Sequence, residues 1–246
     1  MDLAMRPVDV VILTKNSERM LRACVRSIYQ NIPVNRLIVI DGYSSDRTLE
    51  ILSSFQKEHG NVKLIRTYGT RAEARQRGIQ EVETDWFVFV DSDVVLCKNW
   101  LARASRSIKE DVGAVWGIEV WASLEKTTML KMFLWVTRKI FEIRGGTHDT
   151  LIRRKAIEGM RIPANLHVFE DAYIKEWMVK RGYDVVACYD PHCLHYRANE
   201  VWTLRGSLNL IVEAVRFGSF KLIARLLLAY GFYAAYSIHQ MMGSRP

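Results

Sequence analysis

The chain has 246 residues, 49% of them hydrophobic and 25% charged, with a formal net charge of +8 and a pI near 9.4. That composition excludes wholesale disorder, and the length suits one large α/β domain. The basic balance calls for an anionic partner: nucleic acid, a nucleotide-bearing substrate or an anionic membrane surface. With no dense Lys/Arg tract and no nucleic-acid motif, the last two are favoured. Cys24, Cys97, Cys188 and Cys193 are scattered, form no C-x-x-C pair and read as reduced structural thiols. Residues 1–7 lack the apolar stretch of a signal peptide, so the chemistry is expected to face the cytoplasm.

In chain order, Val8-Asp9-Val10-Val11-Ile12-Leu13 reads as a first strand, and residues 18–29 as a helix with Met20, Leu21, Cys24, Val25 and Ile28 on one face. Leu37-Ile38-Val39-Ile40 is a second strand and 46–56 a second helix. Val62-Lys63-Leu64-Ile65 is a third strand, followed by a helix over 72–81, and the Trp86–Val90 run is a fourth strand. Strands alternating with helices of ten to twelve residues predict β-α units in a parallel sheet with right-handed crossovers. Beyond them, 114–120 reads as a strand, 128–143 as an amphipathic helix, and Thr150-Leu151-Ile152-Arg153 as a short strand. Residues 169–181 read as a helix stopped by Gly182, and 184–189 as a further strand. The tail, 201–242, reads as helices. The expected division is a catalytic domain over 1–200 and C-terminal helices over 201–246.

Each of the first four strands ends in a polar cluster: Thr14-Lys15-Asn16-Ser17-Glu18, then Asp41 through Thr48, then Thr70-Arg71 with Arg75 one turn on, then Asp91-Ser92-Asp93. Parallel topology puts all four on one edge of the sheet, where ligands of open α/β sheets bind. Taken alone, Asp91 and Asp93 are either two solvated loop carboxylates or hard oxygen donors for a divalent cation.

The ordered set resembles a glycosyltransferase of the GT-A fold, specifically the large inverting family 2. The likeness runs through Thr14–Glu18, Asp41-Gly42-x-Ser44-x-Asp46-x-Thr48, Arg71-Ala72-x-Ala74-Arg75-x-x-Gly78 and Asp91-Ser92-Asp93. It resumes at Gly145-Gly146-Thr147, Glu170-Asp171 and His195-Tyr196-Arg197, so about 200 residues are covered. The fold it implies is a mostly parallel central sheet flanked by helices, with a C-terminal helical tail.

The resemblance also implies roles. Asp41 accepts hydrogen bonds from a nucleobase edge, while Thr14 and Glu18 help hold the nucleoside; the competing role for Asp41 is in turn bonds, and Asp46 reads as a helix cap. Arg71 suits a phosphate bidentately, and Arg197 is a candidate for the diphosphate. Asp93, with Asp91 acting directly or through the ribose, holds Mn²⁺ or Mg²⁺ against the diphosphate, and His195 completes the metal shell. Asp171 is the general base and Glu170 positions donor or acceptor; without the resemblance, the pair would read as favourable acids in a first helical turn. Gly146 and Thr147 either let backbone approach the donor sugar or merely end a helix.

The expected partners are a UDP- or GDP-sugar donor and a glycan acceptor hydroxyl, lipid-linked. The rival readings are transfer to a polyprenyl phosphate, as in dolichyl-phosphate sugar synthases, and an inactive membrane-associated relative. A sugar-phosphate nucleotidyltransferase is disfavoured because no Gly-rich loop follows the first strand. Residues 222–238 are nearly all apolar, broken chiefly by Arg225 and carrying Tyr230, Tyr233 and Tyr236. They form an interfacial, a packed or a spanning helix. The first places the protein peripherally at the cytoplasmic face of the membrane.

Overall fold

A computed structural model describes residues 6–122, 146–166 and 169–196, with isolated positions elsewhere. The expected helix over 128–143, Gly145, Arg197 and the tail over 201–246 lie essentially outside the described residues. The elements follow in chain order as β1 (Val8–Thr14), α1 (Glu18–Asn31), β2 (Val34–Asp41), α2 (Thr48–His59), β3 (Val62–Arg66), α3 (Arg71–Gln80) and β4 (Trp86–Asp91). Then come β5 (Val94–Leu96), α4 (Trp100–Ser105), β6 (Val112–Trp121), β7 (Asp149–Arg153), α5 (Glu170–Lys180) and β8 (Asp184–His195).

The strands form one eight-stranded sheet in the order β3-β2-β1-β4-β7-β6-β8-β5. β3, β2, β1 and β4 run parallel, β7 pairs antiparallel with β4 and β6, and β8 runs parallel to β6. The apolar runs of β1, β2 and β4 are buried on both faces, as a doubly covered sheet requires. Alternate residues divide the core. Val10, Ile12, Leu37, Val39, Val88 and Val90 pack with Leu21, Val25 and Ile28 of α1 and Phe55 of α2. Val11, Ile38, Ile40, Phe87 and Phe89 face the other way, with Ala72 of α3 and Ile174 and Met178 of α5. Gly78 lets α3 lie close on the sheet, since a β-carbon there would come 2.5 Å from Val11 Cγ1.

Two departures from the periodicity place the site. β8 is expected to stop near Tyr189 yet runs to His195. Its pairing with β6 breaks between Trp116↔Ala187 and Ile118↔His192, so Pro191 sits in the irregular stretch, where a missing N–H is tolerated. The three-residue β5, too short to show any periodicity, pairs antiparallel with the end of β8 in the register Val94↔His195. Helix α2 also begins at Thr48 rather than Asp46. Arg47 holds the N-cap position of α2, and the Asp46 carboxylate, one residue before it, accepts from the first amides of both helices, Thr48 and Glu18, at 3.0 Å, which ties the starts of α1 and α2 together.

Candidate active site

The parallel register sets Thr14 beside Asp41, Asp41 beside Arg66, and Leu13 beside Asp91, so the strand ends finish level. The chain moves outward from β1 to β2 and β3, then returns through α3 to β4 on the other side of β1. Between β1 and β4 lies the point where ligand crevices of α/β sheets open. A groove of about 780 Å³ occupies that point, lined by Thr14, Lys15, Arg19, Arg71, Arg75, Asp91, Asp93 and His195 among others. A larger cleft, about 1010 Å³, lies at the opposite edge around Trp86, Arg153 and Met160. It gathers none of the strand-end carboxylates, so volume alone does not locate the chemistry.

At one end of the groove Asp41 is fully buried. Its Oδ1 accepts from the Thr14 hydroxyl at 3.0 Å and the Ser44 hydroxyl at 2.5 Å, its Oδ2 from the Ser44 amide at 3.0 Å. Arg66 Nε lies 3.6 Å from Oδ2, and its guanidinium covers the Tyr43 ring, on which Tyr68 stacks at 3.8 Å. Glu18 is exposed and accepts from the Arg47 amide at 2.9 Å, a bond between loops. Asn16 and Tyr43 both adopt positive φ, 51° and 57°, so the β1 and β2 loops turn sharply above the groove.

Asp91 and Asp93 divide at the other end. Asp91 Oδ1 lies 3.1 Å from Arg75 Nη2, and Arg75 Nε lies 3.2 Å from Glu170 Oε1. Burial works to raise the Asp91 pKa, but Arg75, His148, Arg71 and His195 outweigh it and hold the carboxyl down at about 2. Burial opposes the charge of Arg75 too, yet Asp91, Glu170 and Asp171 raise its pKa. Arg71 approaches Glu170 at 3.9 Å. Among the described residues Arg75 Nη1 and Glu170 Oε2 are buried with no hydrogen-bond partner. Trp116 Nε1, Arg153 Nε and Trp177 Nε1 share that state elsewhere in the fold, so what singles out this pair is its position between Asp91 and Asp171 at the groove. Asp171 is also buried, one position into the same helix, and its Oδ1 accepts from the Ala172 amide.

Asp93 is 43% exposed at its side chain, and among the described residues no Lys or Arg pairs with it. Its ring partner is His195, whose Nε2 lies 2.9 Å from Asp93 Oδ2 and whose Nδ1 lies 3.0 Å from Glu119 Oε1. A carboxylate and an imidazole converging at a groove wall are a donor set that fits Mn²⁺ or Mg²⁺. A second trio, His148, Asp149 and Cys193, keeps its potential ligand atoms within 4.8 Å of one another, but all three are buried. Burial pushes both the Asp149 carboxyl and the Cys193 thiol well above their ordinary values, and Asp149 Oδ2 is held by Trp100 Nε1 at 2.8 Å. Neutral acids and thiols are poor ligands, so Asp93 and His195 fit a cation better.

The structure thus brings Thr14, Asp41, Arg71, Asp91, Asp93, His195, Glu170 and Asp171 to one edge. Gly146 and Thr147 lie just before His148, whose carbonyl accepts from the Asp91 amide at 3.0 Å. Sequence reasoning missed Lys15 and Arg19 as cations of the groove, the bridging position of Arg75, and Glu119. The signal for Glu119 was present: a lone acid in the apolar run Val112–Trp121 needs a partner.

The architecture is that of the GT-A glycosyltransferases. It is similar to a mannosyltransferase of Pyrobaculum calidifontis in complex with GDP-Man and Mn²⁺, with a TM-score of 0.69 and 16% identity over 100% of this chain and 83% of that one. It is also similar to TarS 1-349 of S. aureus in complex with UDP-GlcNAc, with a TM-score of 0.62 and 18% identity over 85% of this chain and 66% of that one. Residues 9–165 match the model of glycosyl transferase family 2, and the chain belongs to that family. Among curated proteins, it is 28% identical over 109 residues to the glycosyltransferase GlyG of Streptococcus pneumoniae, covering 42% of this chain and 35% of the relative. It is 31% identical over 110 residues to a poly(ribitol-phosphate) beta-glucosyltransferase of Bacillus spizizenii, covering 42% of this chain and 17% of that protein. The similarity therefore spans well under half the length of these relatives.

Proposed function

We propose that this protein is a metal-dependent, inverting glycosyltransferase that moves a sugar from a nucleotide-diphosphate donor onto a hydroxyl of a lipid-linked glycan. The observation that carries the reading is the charge arrangement in one groove. A cation-ready pair, Asp93 and His195, stands next to Asp91, which Arg75 joins to Glu170, the neighbour of Asp171. Thr14 lines the nucleoside end, backed by Asp41, whose oxygens are taken up by Thr14, Ser44 and Arg66, with Lys15, Arg19 and Arg71 along the groove for the diphosphate. Relatives of the same fold bind GDP-Man and UDP-GlcNAc, which supports a nucleotide-sugar donor.

Asp93 and His195, with Asp91, would hold Mn²⁺ or Mg²⁺. When bound, the ion supplies Lewis-acid stabilisation of the charge developing on the leaving nucleoside diphosphate. Asp171 takes the proton of the acceptor hydroxyl as that oxygen attacks the anomeric carbon from the face opposite the leaving group. Arg75 keeps Glu170 in place beside it, and the buried setting of both acids limits competing attack by water. The deciding experiment is a panel of UDP-, GDP- and dTDP-sugars with Mn²⁺, scored by thermal stabilisation and nucleotide release. One donor is expected to stand out, and silence from all of them overturns the reading.

A lipid-linked acceptor agrees with the basic, aromatic-rich apolar tail, read as an interfacial helix at the cytoplasmic face. Among the described residues no helix is long and apolar enough to cross a membrane. The intact chain is expected to float with anionic liposomes and to lose that property when the residues after Phe220 are deleted. Failure of the intact chain to bind removes the membrane part alone.

A further inference from the structure

We propose that Glu119 is a positioning residue for the cation site: it holds the His195 ring with its proton on Nδ1, so that the Nε2 lone pair faces the ion beside Asp93. The inference rests on the reading of Asp93 and His195 as cation ligands.

His195 is buried, 7% exposed, and both ring nitrogens meet carboxylates. Nε2 is 2.9 Å from Asp93 Oδ2 on the groove side, and Nδ1 is 3.0 Å from Glu119 Oε1 on the sheet side. A neutral imidazole carries one N–H, and the partner at one nitrogen decides what the other offers. Glu119 is itself buried, 7% exposed, so its carboxylate is held by the sheet rather than by solvent. It comes from β6, where it pairs with Cys193 of β8, and Trp121 two residues on pairs with His195 itself. Alternation along β8 puts Cys193 and His195 on one face, and Glu119, opposite Cys193, shares it, so the carboxylate reaches the ring without leaving its strand. Only an unprotonated Nε2 can ligate an ion beside Asp93, which leaves the ring's single proton on Nδ1, where the Glu119 carboxylate 3.0 Å away is placed to accept it. Asp93, on the turn between β4 and β5, is much more exposed than Glu119 and remains available to a ligand. One acid thus orients the ring and the other shares its ion, the division of labour common around metal-bound histidines.

The test measures Mn²⁺ affinity by electron paramagnetic resonance in the presence of UDP and, separately, GDP, on the intact chain. Glu119→Leu, which suits the apolar strand, is expected to weaken Mn²⁺ binding roughly 10–100-fold. Glu119→Gln, whose amide oxygen still accepts from Nδ1, is expected to recover most of that loss, which a purely structural role would not do. His195→Ala is the reference. If it weakens binding while Glu119→Leu matches the wild type, the positioning role is overturned and the metal reading stands. If the wild type binds no Mn²⁺ with either nucleotide, or His195→Ala changes nothing, the metal reading falls and takes this inference with it. Should Glu119→Leu fail to fold, ¹⁵N spectra of the wild-type ring with Zn²⁺ as a diamagnetic stand-in decide. A proton on Nδ1 alone supports the proposal, and any other pattern overturns it.

Discussion

The two edges of the parallel sheet each bury carboxylates, and they treat them in opposite ways. At the amino edge, Asp9 is fully buried and receives five hydrogen bonds, from Asn35 Nδ2, Arg36 Nε and Nη2, and the amides of Glu83 and Thr84. Burial works to raise its pKa, and those bonds outweigh it, so the carboxyl ends below its ordinary value. At the carboxyl edge, Glu170 is as deeply buried, yet Oε2 has no partner among the described residues, and neither has Nη1 of the adjoining Arg75. A saturated carboxylate stabilises a fold. An unsaturated one keeps binding capacity in reserve for a ligand, at a cost in stability. The comparison teaches that burial alone does not mark a functional acid; incomplete pairing beside a groove does.

Four substitutions can break or sharpen that contrast. Asp171→Asn is expected to lower turnover by roughly 10²–10⁴-fold. Its nucleotide affinity by calorimetry and its urea midpoint should stay near wild type; sustained turnover would remove Asp171 from the mechanism. Asp9→Asn should do the reverse, costing about 3–5 kcal/mol in urea unfolding while turnover per folded molecule is unchanged.

The pH dependence of that second variant follows from the lowered Asp9 pKa. A depressed carboxyl contributes its full stability above its unfolded value, near ~4. The contribution disappears as pH falls through the folded value. The gap between wild type and Asp9→Asn should therefore narrow steadily below about pH 4. A gap that widens in acid would contradict the assignment.

Smaller effects belong to packing and to the surface. Gly78→Ala brings a β-carbon against Val11 and should destabilise by about 1–3 kcal/mol, seen as a lower Tm. Glu50→Ala removes an ion pair with Arg47 in which both side chains are more than 60% exposed, and should leave the urea midpoint indistinguishable from wild type. If the surface change rivalled Asp9→Asn, the distinction between saturated burial and ordinary charge pairing would fail.

Legibility in the sequence follows the range of the interactions. β1 through β4 and the helices between them were readable because continuous apolar runs and a helical period are local signals. The strand-end clusters were readable too, since parallel topology sends them to one edge whatever the packing. Chain order showed Arg75 only as a cation one turn past Arg71, and not its contacts, because its partners Asp91 and Glu170 lie 16 and 95 residues away. The pairing of Asp93 with His195, 102 residues apart, needed a three-residue strand and a bulge around Pro191 that leave almost no periodic trace.

What the amino-acid sequence determined by itself was the β-α frame and the set of reactive side chains delivered to its carboxyl edge, since both follow from short-range patterning. The tertiary structure decided which of those side chains meet. It joined Asp91 through Arg75 to Glu170, paired Asp93 with His195, and set Glu119 behind that ring. Those choices depend on β6, β7 and β8 folding back beside β4, and contacts made across a sheet have no counterpart in local order along the chain.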